Sequence, residues 1–171
     1  MRTIICFLLL LPAIAFAKKT DIFFKLTDAA GKQINGDASG KGFEKQLGVF
    51  TVTSGGKNNT QLAFSMPITG ASAELKRSMA NGEVLLNGLL TVTKADPGMG
   101  RPAMVYTIKK EGIRVNACSE AIGCNNVQLS NVTITATRIG WTYYQTSPNG
   151  AQTVSRKYGY DSDSGKEWTN F

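Results

Sequence analysis

The chain has 171 residues, of which 42% are hydrophobic and 18% charged, and its formal net charge is +7. It contains no histidine. This excludes Ser-His-Asp and Cys-His hydrolases, zinc sites with histidine ligands and histidine general bases. The twelve acidic residues are scattered along the chain, which argues against the carboxylate pair of a glycosidase. We therefore expect a protein that is not an enzyme and that carries no metal or other cofactor.

The first seventeen residues are typical of a cleaved export signal. Arg2 supplies a positive charge, residues 4–11 are apolar, and Ala15-Phe16-Ala17 has the small-x-small pattern of a cleavage site. The apolar run is too short to span a bilayer. We expect export by the Sec pathway to the periplasm or the extracellular space, a mature chain of one domain over residues 18–171, and no membrane span after cleavage.

Loss of Arg2 lowers the net charge to +6, and the remaining basic residues include separate doublets. These doublets form no stripe in which basic and aromatic residues alternate; they are Lys18-Lys19, Lys76-Arg77, Lys109-Lys110 and Arg156-Lys157. Nucleic-acid binding favours a continuous basic stripe or patch. The pattern therefore predicts a solvated basic surface and no nucleic-acid partner.

Two cysteines, Cys118 and Cys124, remain after removal of the signal. In an exported chain, two cysteines most simply form one disulfide. Here it would close a small loop and stabilise the fold by roughly 2 kcal/mol. A metal site is the alternative, but two thiolates without a histidine are an incomplete ligand set.

The mature chain has the alternating apolar pattern of strands, interrupted by glycine-rich turns. Strands are predicted in chain order over residues 21–27, 46–53, 61–66, 83–94, 104–117, 127–144 and 153–160. The glycine-rich residues 55–59 form the turn between the second and third strands, and residues 95–102 form another loop. The polar tail over residues 162–171 is expected to fray.

One short helix is predicted, from about Ser72 to Asn81. Ser72 is a suitable N-cap, and Gly82 supplies a left-handed stop. Ala71, Leu75 and Met79 recur at four-residue spacing and form one apolar stripe that faces the core. The fold class is therefore mainly β, a compact antiparallel β-barrel or sandwich with one short flanking helix.

The long late strand over residues 127–144 has apolar side chains on both faces. By alternation, Ile139, Trp141 and Tyr143 lie on one face, and Val132 and Ile134 lie on the other. Such a strand is either covered on both sides in its own chain or partly covered by a neighbouring subunit. We take Val132, Ile134, Trp141 and Tyr143 as candidates for a subunit interface.

Taken in order, these segments resemble the Hcp family, the ring-forming tube protein of type VI secretion. The opening FFKLT and the segment INGDASGKGFEKQLGVFTVTSG are similar to the first two strands of that family. FSMPITGASAELKRSMANG is similar to its passage from strand to helix, and VQLSNVTITATRIGWTYY to its long late strand. The turn PNG and Gly159-Tyr160-Asp161 resemble its last hairpin.

The resemblance implies a non-enzymatic structural protein, here an exported Hcp-like subunit that forms homohexameric rings able to stack into tubes or filaments. It also implies that the turn after the second strand reaches towards the adjacent ring. The residues of that turn are Gly55, Gly56, Lys57, Asn58 and Asn59. A secreted protein could be a further partner. The alternative function is a secreted monomeric binding module that recognises a protein or glycan through its loops.

Overall fold

The computed structural model describes residues 20–56, 59–95, 102–122 and 126–171. Within these ranges lie ten strands and one helix. The strands are β1 (Thr20–Thr27), β2 (Gln33–Ile34), β3 (Leu47–Val49), β4 (Thr51–Gly55), β5 (Gln61–Pro67), β6 (Val84–Lys94), β7 (Ala103–Ile122), β8 (Gln128–Thr146), β9 (Gln152–Asp161) and β10 (Lys166–Glu167); the helix is α1 (Gly70–Asn81). None of the described helical residues forms a segment long and apolar enough to cross a membrane.

All strand pairs are antiparallel, and the main sheet runs in the order β10-β9-β8-β7-β6-β1-β2. The long strand β8 pairs with β7 on one side, and on the other side first with β5 and then with β9. Only Phe50 separates β3, which pairs with β1, from β4, which pairs with β5. This bent segment brings the sheet back on itself. The prediction of a mainly β, antiparallel, barrel-like fold with one helix is confirmed.

One hydrophobic core fills the inside of this curved sheet. Its fully buried members come from seven strands and the helix; they include Phe24, Leu26, Ile34, Leu47, Leu62, Leu75, Leu85, Leu90, Ile113 and Ile134. The rings of Phe24 and Phe64 meet edge to face at 5.3 Å. The predicted helical stripe is confirmed, because Ala71 and Leu75 are buried in this core and Met79 packs against it.

The N-cap of the helix lies three residues before the predicted one, Ser72. Thr69 is the N-cap: its Oγ1 accepts a hydrogen bond from the Ala71 N–H at 3.3 Å, and its own N–H donates to Ser72 Oγ at 3.2 Å. Ser72 is therefore the third helical residue, the partner of Thr69 in a reciprocal capping box. Gly82 ends the helix with φ +65°, as the sequence predicts.

Replacing Thr69 by alanine tests this cap. We expect Thr69→Ala to lower the free energy of unfolding by about 1 kcal/mol, because a helical N–H loses its side-chain partner. Urea denaturation followed by circular dichroism measures the change as a lower midpoint at an unchanged slope. An unchanged midpoint would contradict the assignment of Thr69 as the cap.

The inward face of β7 and β8 changes at Gly112. In β7 the buried residues Ile108 and Lys110 have even numbers, whereas the buried residues beyond Gly112, Ile113 and Val115, have odd numbers. Gly112 has φ +61°, a conformation that interrupts strict alternation. The same change places Ile139 of β8 in one core with Val132 and Ile134, so the predicted assignment of these residues to opposite faces is wrong.

Candidate self-assembly surface

Four aromatic side chains lie together on one face of the sheet where β7, β8 and β9 pair. Tyr106 is directly opposite Tyr143, and Trp141 is directly opposite Tyr158. Directly paired residues project to the same side of a sheet. The rings of Tyr106 and Tyr143 are 5.9 Å apart, and those of Trp141 and Tyr158 stack at 5.7 Å. We call these four residues the aromatic face.

The aromatic face is concave and partly open to solvent, because Tyr106 and Trp141 pack against the core and the other two rings are exposed. Tyr143 is 43% exposed and Tyr158 51% exposed. With Trp141 they line a groove of about 700 Å³, and the other described residues that line it are Asn59, Ser155 and Arg156. Exposed aromatic patches of this kind commonly mark interaction sites.

The strand that borders the aromatic face also has an open edge. In the described part of the chain, β9 pairs with β8 on one side, whereas on its other side β10 meets only Tyr160 and Asp161. The earlier backbone of β9, over residues 152–158, thus has a side that none of the described strands covers. Unpaired strand edges readily accept another strand. The open edge and the aromatic face together form a surface to which a second protein chain can bind.

One residue of the predicted loop, Asn59, meets the predicted strand at this surface. Gly56 has φ +76° and its carbonyl accepts a hydrogen bond from the Asn59 N–H at 3.2 Å, which closes the turn between β4 and β5. Asn59 then lines the groove together with Trp141. Gly55 ends β4. Lys57 and Asn58 lie outside the described residues.

A buried lysine lies beneath this turn. Lys110 is 0% exposed, and its Nζ donates a hydrogen bond to the Thr60 carbonyl at 2.9 Å. The same carbonyl accepts a bond from the Ala136 N–H at 3.2 Å. Burial lowers the pKa of Lys110 from its ordinary value of 10.5 to about 7. The prediction that the Lys109-Lys110 doublet is solvated is therefore wrong for Lys110.

The C-terminal tail packs against the sheet, so the prediction that it frays is wrong. The Trp168 N–H donates to the Gly159 carbonyl at 3.0 Å, and Trp168 is only 8% exposed. The Phe171 ring lies over Gly140 and Gly159, which are directly paired in β8 and β9. A Cβ on Gly159 would come within 2.4 Å of that ring, so only glycine leaves room for it. This contact could not be anticipated without the strand register.

Two of the four predicted interface residues are not on a surface. Val132 and Ile134 are 1% and 0% exposed and belong to the core of their own chain. A second subunit cannot reach them while the fold is intact. Trp141 and Tyr143, in contrast, belong to the aromatic face.

The predicted disulfide involves one described residue. Cys118 Sγ lies 4.0 Å from the Ser72 carbonyl oxygen of α1 and 3.6 Å from Ser130 Oγ. Cys124 lies outside the described residues, so the disulfide stays a prediction.

Comparison with known proteins bears on the fold. No protein-family profile and no curated protein sequence matches the chain. Among solved structures, it is similar to Hcp1 from Salmonella typhimurium, with 21% sequence identity and a TM-score of 0.70 over 87% of this chain and 99% of that one. It is similar to a type six secretion system protein, with 16% identity and a TM-score of 0.72 over 88% of this chain and 100% of that one.

A third similar structure is the secreted protein Hcp3 from Pseudomonas aeruginosa, with 17% identity and a TM-score of 0.64 over 84% of this chain and 98% of that one. The resemblance noted in the sequence is thus confirmed in three dimensions, across nearly the full length of each Hcp chain. The chain has the fold of the Hcp proteins.

Proposed function

We propose that the chain is a non-enzymatic structural protein that assembles with copies of itself into homohexameric rings able to stack. The single observation that carries this proposal is the exposed aromatic face beside the open edge of β9, on a body with the Hcp fold. The number of six subunits comes from the family resemblance. Such a protein would serve a secretion-related structure.

The chemistry of the surface supports contact between proteins. Protein interfaces are enriched in tyrosine, tryptophan and arginine, and buried aromatic anchors supply much of their binding energy. The groove contains Trp141, Tyr143, Tyr158 and Arg156. An open strand edge adds backbone hydrogen bonds from a neighbour.

Export and the Cys118–Cys124 disulfide belong to the same proposal. The signal pattern in residues 1–17 directs the chain to the periplasm or the cell exterior. Cysteines are readily oxidised in those compartments. We propose that the ring forms after export, in the periplasm or outside the cell.

Replacing Tyr158 by arginine tests the proposed interface. We expect Tyr158→Arg to weaken self-association at least tenfold, because a charge replaces a ring at the centre of the contact and truncating such an anchor costs about 2 kcal/mol or more. Sedimentation velocity over a concentration series measures the shift from the assembled form to monomer.

Leu86→Arg is the matched control. Leu86 is 44% exposed, close to the exposure of Tyr158, and it lies on β6 rather than on the aromatic face. We expect this variant to assemble like the parent protein. Equal assembly of the Tyr158 variant and the parent would overturn the proposed interface.

A further inference from the structure

Lys110 is the most unusual charged residue in the described structure, because it is fully buried without a carboxylate partner there. Its immediate neighbours in β7, Lys109 and Glu111, lie on the opposite face of the strand and pair with each other at 3.0 Å. Arg138 of β8 pairs with Glu111 at 3.5 Å and with Asp161 at 3.0 Å on that outer face. These four charged residues lie on the outer face, whereas Lys110 lies on the inner face.

The residues directly opposite Lys110 on the neighbouring strands are uncharged. β6 presents Gly88 directly opposite Lys110, and β8 presents Ile139. The turn before β5 presents the Thr60 carbonyl, to which Lys110 Nζ donates. No ion pair to Lys110 occurs among the described residues, since the four ion pairs there involve other side chains.

In this arrangement a single atom, the Thr60 carbonyl oxygen, connects the residue before β5 to β7 and β8. The Thr60 carbonyl accepts hydrogen bonds from Lys110 Nζ and from the Ala136 N–H, so it fixes the end of the turn against β7 and β8. The next residue towards the turn, Asn59, is a wall of the groove. The position of Lys110 Nζ therefore influences where Asn59 lies and hence the shape of the groove.

We propose that Lys110 is the positioning residue for Asn59 and Thr60 and that proton uptake by its amine releases these two residues from β7 and β8. An ammonium ion inside the barrel has lost its hydration, and one carbonyl does not replace it. A state in which Thr60 moves away and water reaches Nζ binds a proton more tightly than the closed state. Acid therefore favours the open state by linkage.

The direction and range of the effect follow from the two protonation equilibria. The closed state has a Lys110 pKa of about 7, and a hydrated lysine has its ordinary value of 10.5. The open-to-closed ratio rises as the pH falls from 10.5 to 7 and levels off below 7. Between pH 9 and pH 7 the rise is roughly fiftyfold if opening fully hydrates Nζ.

Hydrogen exchange at the Ala136 amide tests the positioning role without reference to assembly. We expect this amide to exchange through a local opening with little dependence on urea. After correction for the intrinsic exchange rate, its opening constant should rise severalfold to about fiftyfold from pH 9 to pH 7. The Leu90 amide, in the centre of β6 between β1 and β7, is the control for global unfolding.

The matched variant is Lys110→Met, which keeps the length of the side chain and removes the charge. Its Ala136 opening constant should not change between pH 9 and pH 7. The same pH response in parent and Lys110→Met would overturn the proposal. So would an Ala136 amide that exchanges only by global unfolding, with the urea dependence of Leu90.

The consequence for assembly rests on the proposed function and is measured separately. Sedimentation of parent and Lys110→Met at pH 7 and pH 9 should show parent association strengthening with pH and variant association unchanged. A monomer at both pH values, with the exchange response present, would contradict the ring and leave the role of Lys110 supported. Assembly without the exchange response would contradict the role of Lys110 and leave the ring supported.

Discussion

Replacing Lys110 by methionine should stabilise the folded chain by roughly 1–4 kcal/mol at pH 7, because well-packed apolar side chains often replace buried charges with a gain in stability. Methionine fills the space of the lysine stem, and the Thr60 carbonyl keeps its bond from the Ala136 N–H. Urea denaturation measures the gain as a higher midpoint.

The gain should depend on pH in a direction that the pKa of Lys110 determines. Between pH 7 and pH 10.5 the unfolded chain holds a proton on Lys110 that the folded chain has lost. The stability of the parent therefore rises with pH in this window, while Lys110→Met lacks this contribution. The advantage of the variant should shrink by about 2 kcal/mol from pH 7 to pH 9.

Lys109→Met is the control for this comparison. Lys109 is the adjacent residue on the outer face and pairs with Glu111. Surface ion pairs of this type are worth about 0–1 kcal/mol, so we expect little change. An equal advantage of Lys110→Met at pH 7 and pH 9 would contradict a buried lysine with a lowered pKa.

A valine at Gly159 should detach the C-terminal tail from the sheet and destabilise the chain by about 1–3 kcal/mol or more, as overpacking does. The added Cβ would lie 2.2 Å from the Trp168 carbonyl oxygen, which is backbone and cannot rotate away. Trp168 would then leave its buried position, so its fluorescence should shift to longer wavelength. Limited proteolysis should remove residues near the C-terminus.

Gly55→Val is the matched control for this clash. Gly55 is also a strand glycine, but a Cβ there would have no atom within 4 Å among its described surroundings. We expect the control to retain the parent fluorescence and stability. An unchanged tryptophan spectrum in Gly159→Val would contradict the packing of the tail.

The main features of the fold could be predicted because the local signals agree with the tertiary structure. Alternating apolar residues mark each long strand, and the stripe of Ala71 and Leu75 faces the core as its spacing requires. The start of the helix was harder to place, because Thr69 and Ser72 are both good capping residues. Their reciprocal bonds decide between them.

Features that depend on strand register could not be predicted from the sequence. Extending the alternation back from Ile113 and Val115 places Lys109 inside and Lys110 outside, and the positive φ of Gly112 reverses this. Likewise, Gly140 and Gly159 stand nineteen residues apart and become a notch for Phe171 only when β8 pairs with β9. The tail is polar on average, but two aromatic residues anchor it.

The candidate site was predicted in part for the same reason. Alternation selected Trp141 and Tyr143 correctly as residues of one face, and the pairing with β7 and β9 adds Tyr106 and Tyr158. Alternation alone could not tell which of the two apolar faces is covered by the chain itself. Val132, Ile134 and Ile139 lie in one core, and Trp141 and Tyr143 continue the inward face of Ile139 to a part of the sheet that the chain itself leaves open.

Native mass spectrometry of residues 18–171, produced in an oxidising compartment, is the most direct test of self-assembly. We expect a dominant hexamer, in which each chain is two hydrogens lighter than the reduced form because of the Cys118–Cys124 disulfide. A monomer at micromolar concentration would contradict the proposed function while leaving the Hcp fold in place.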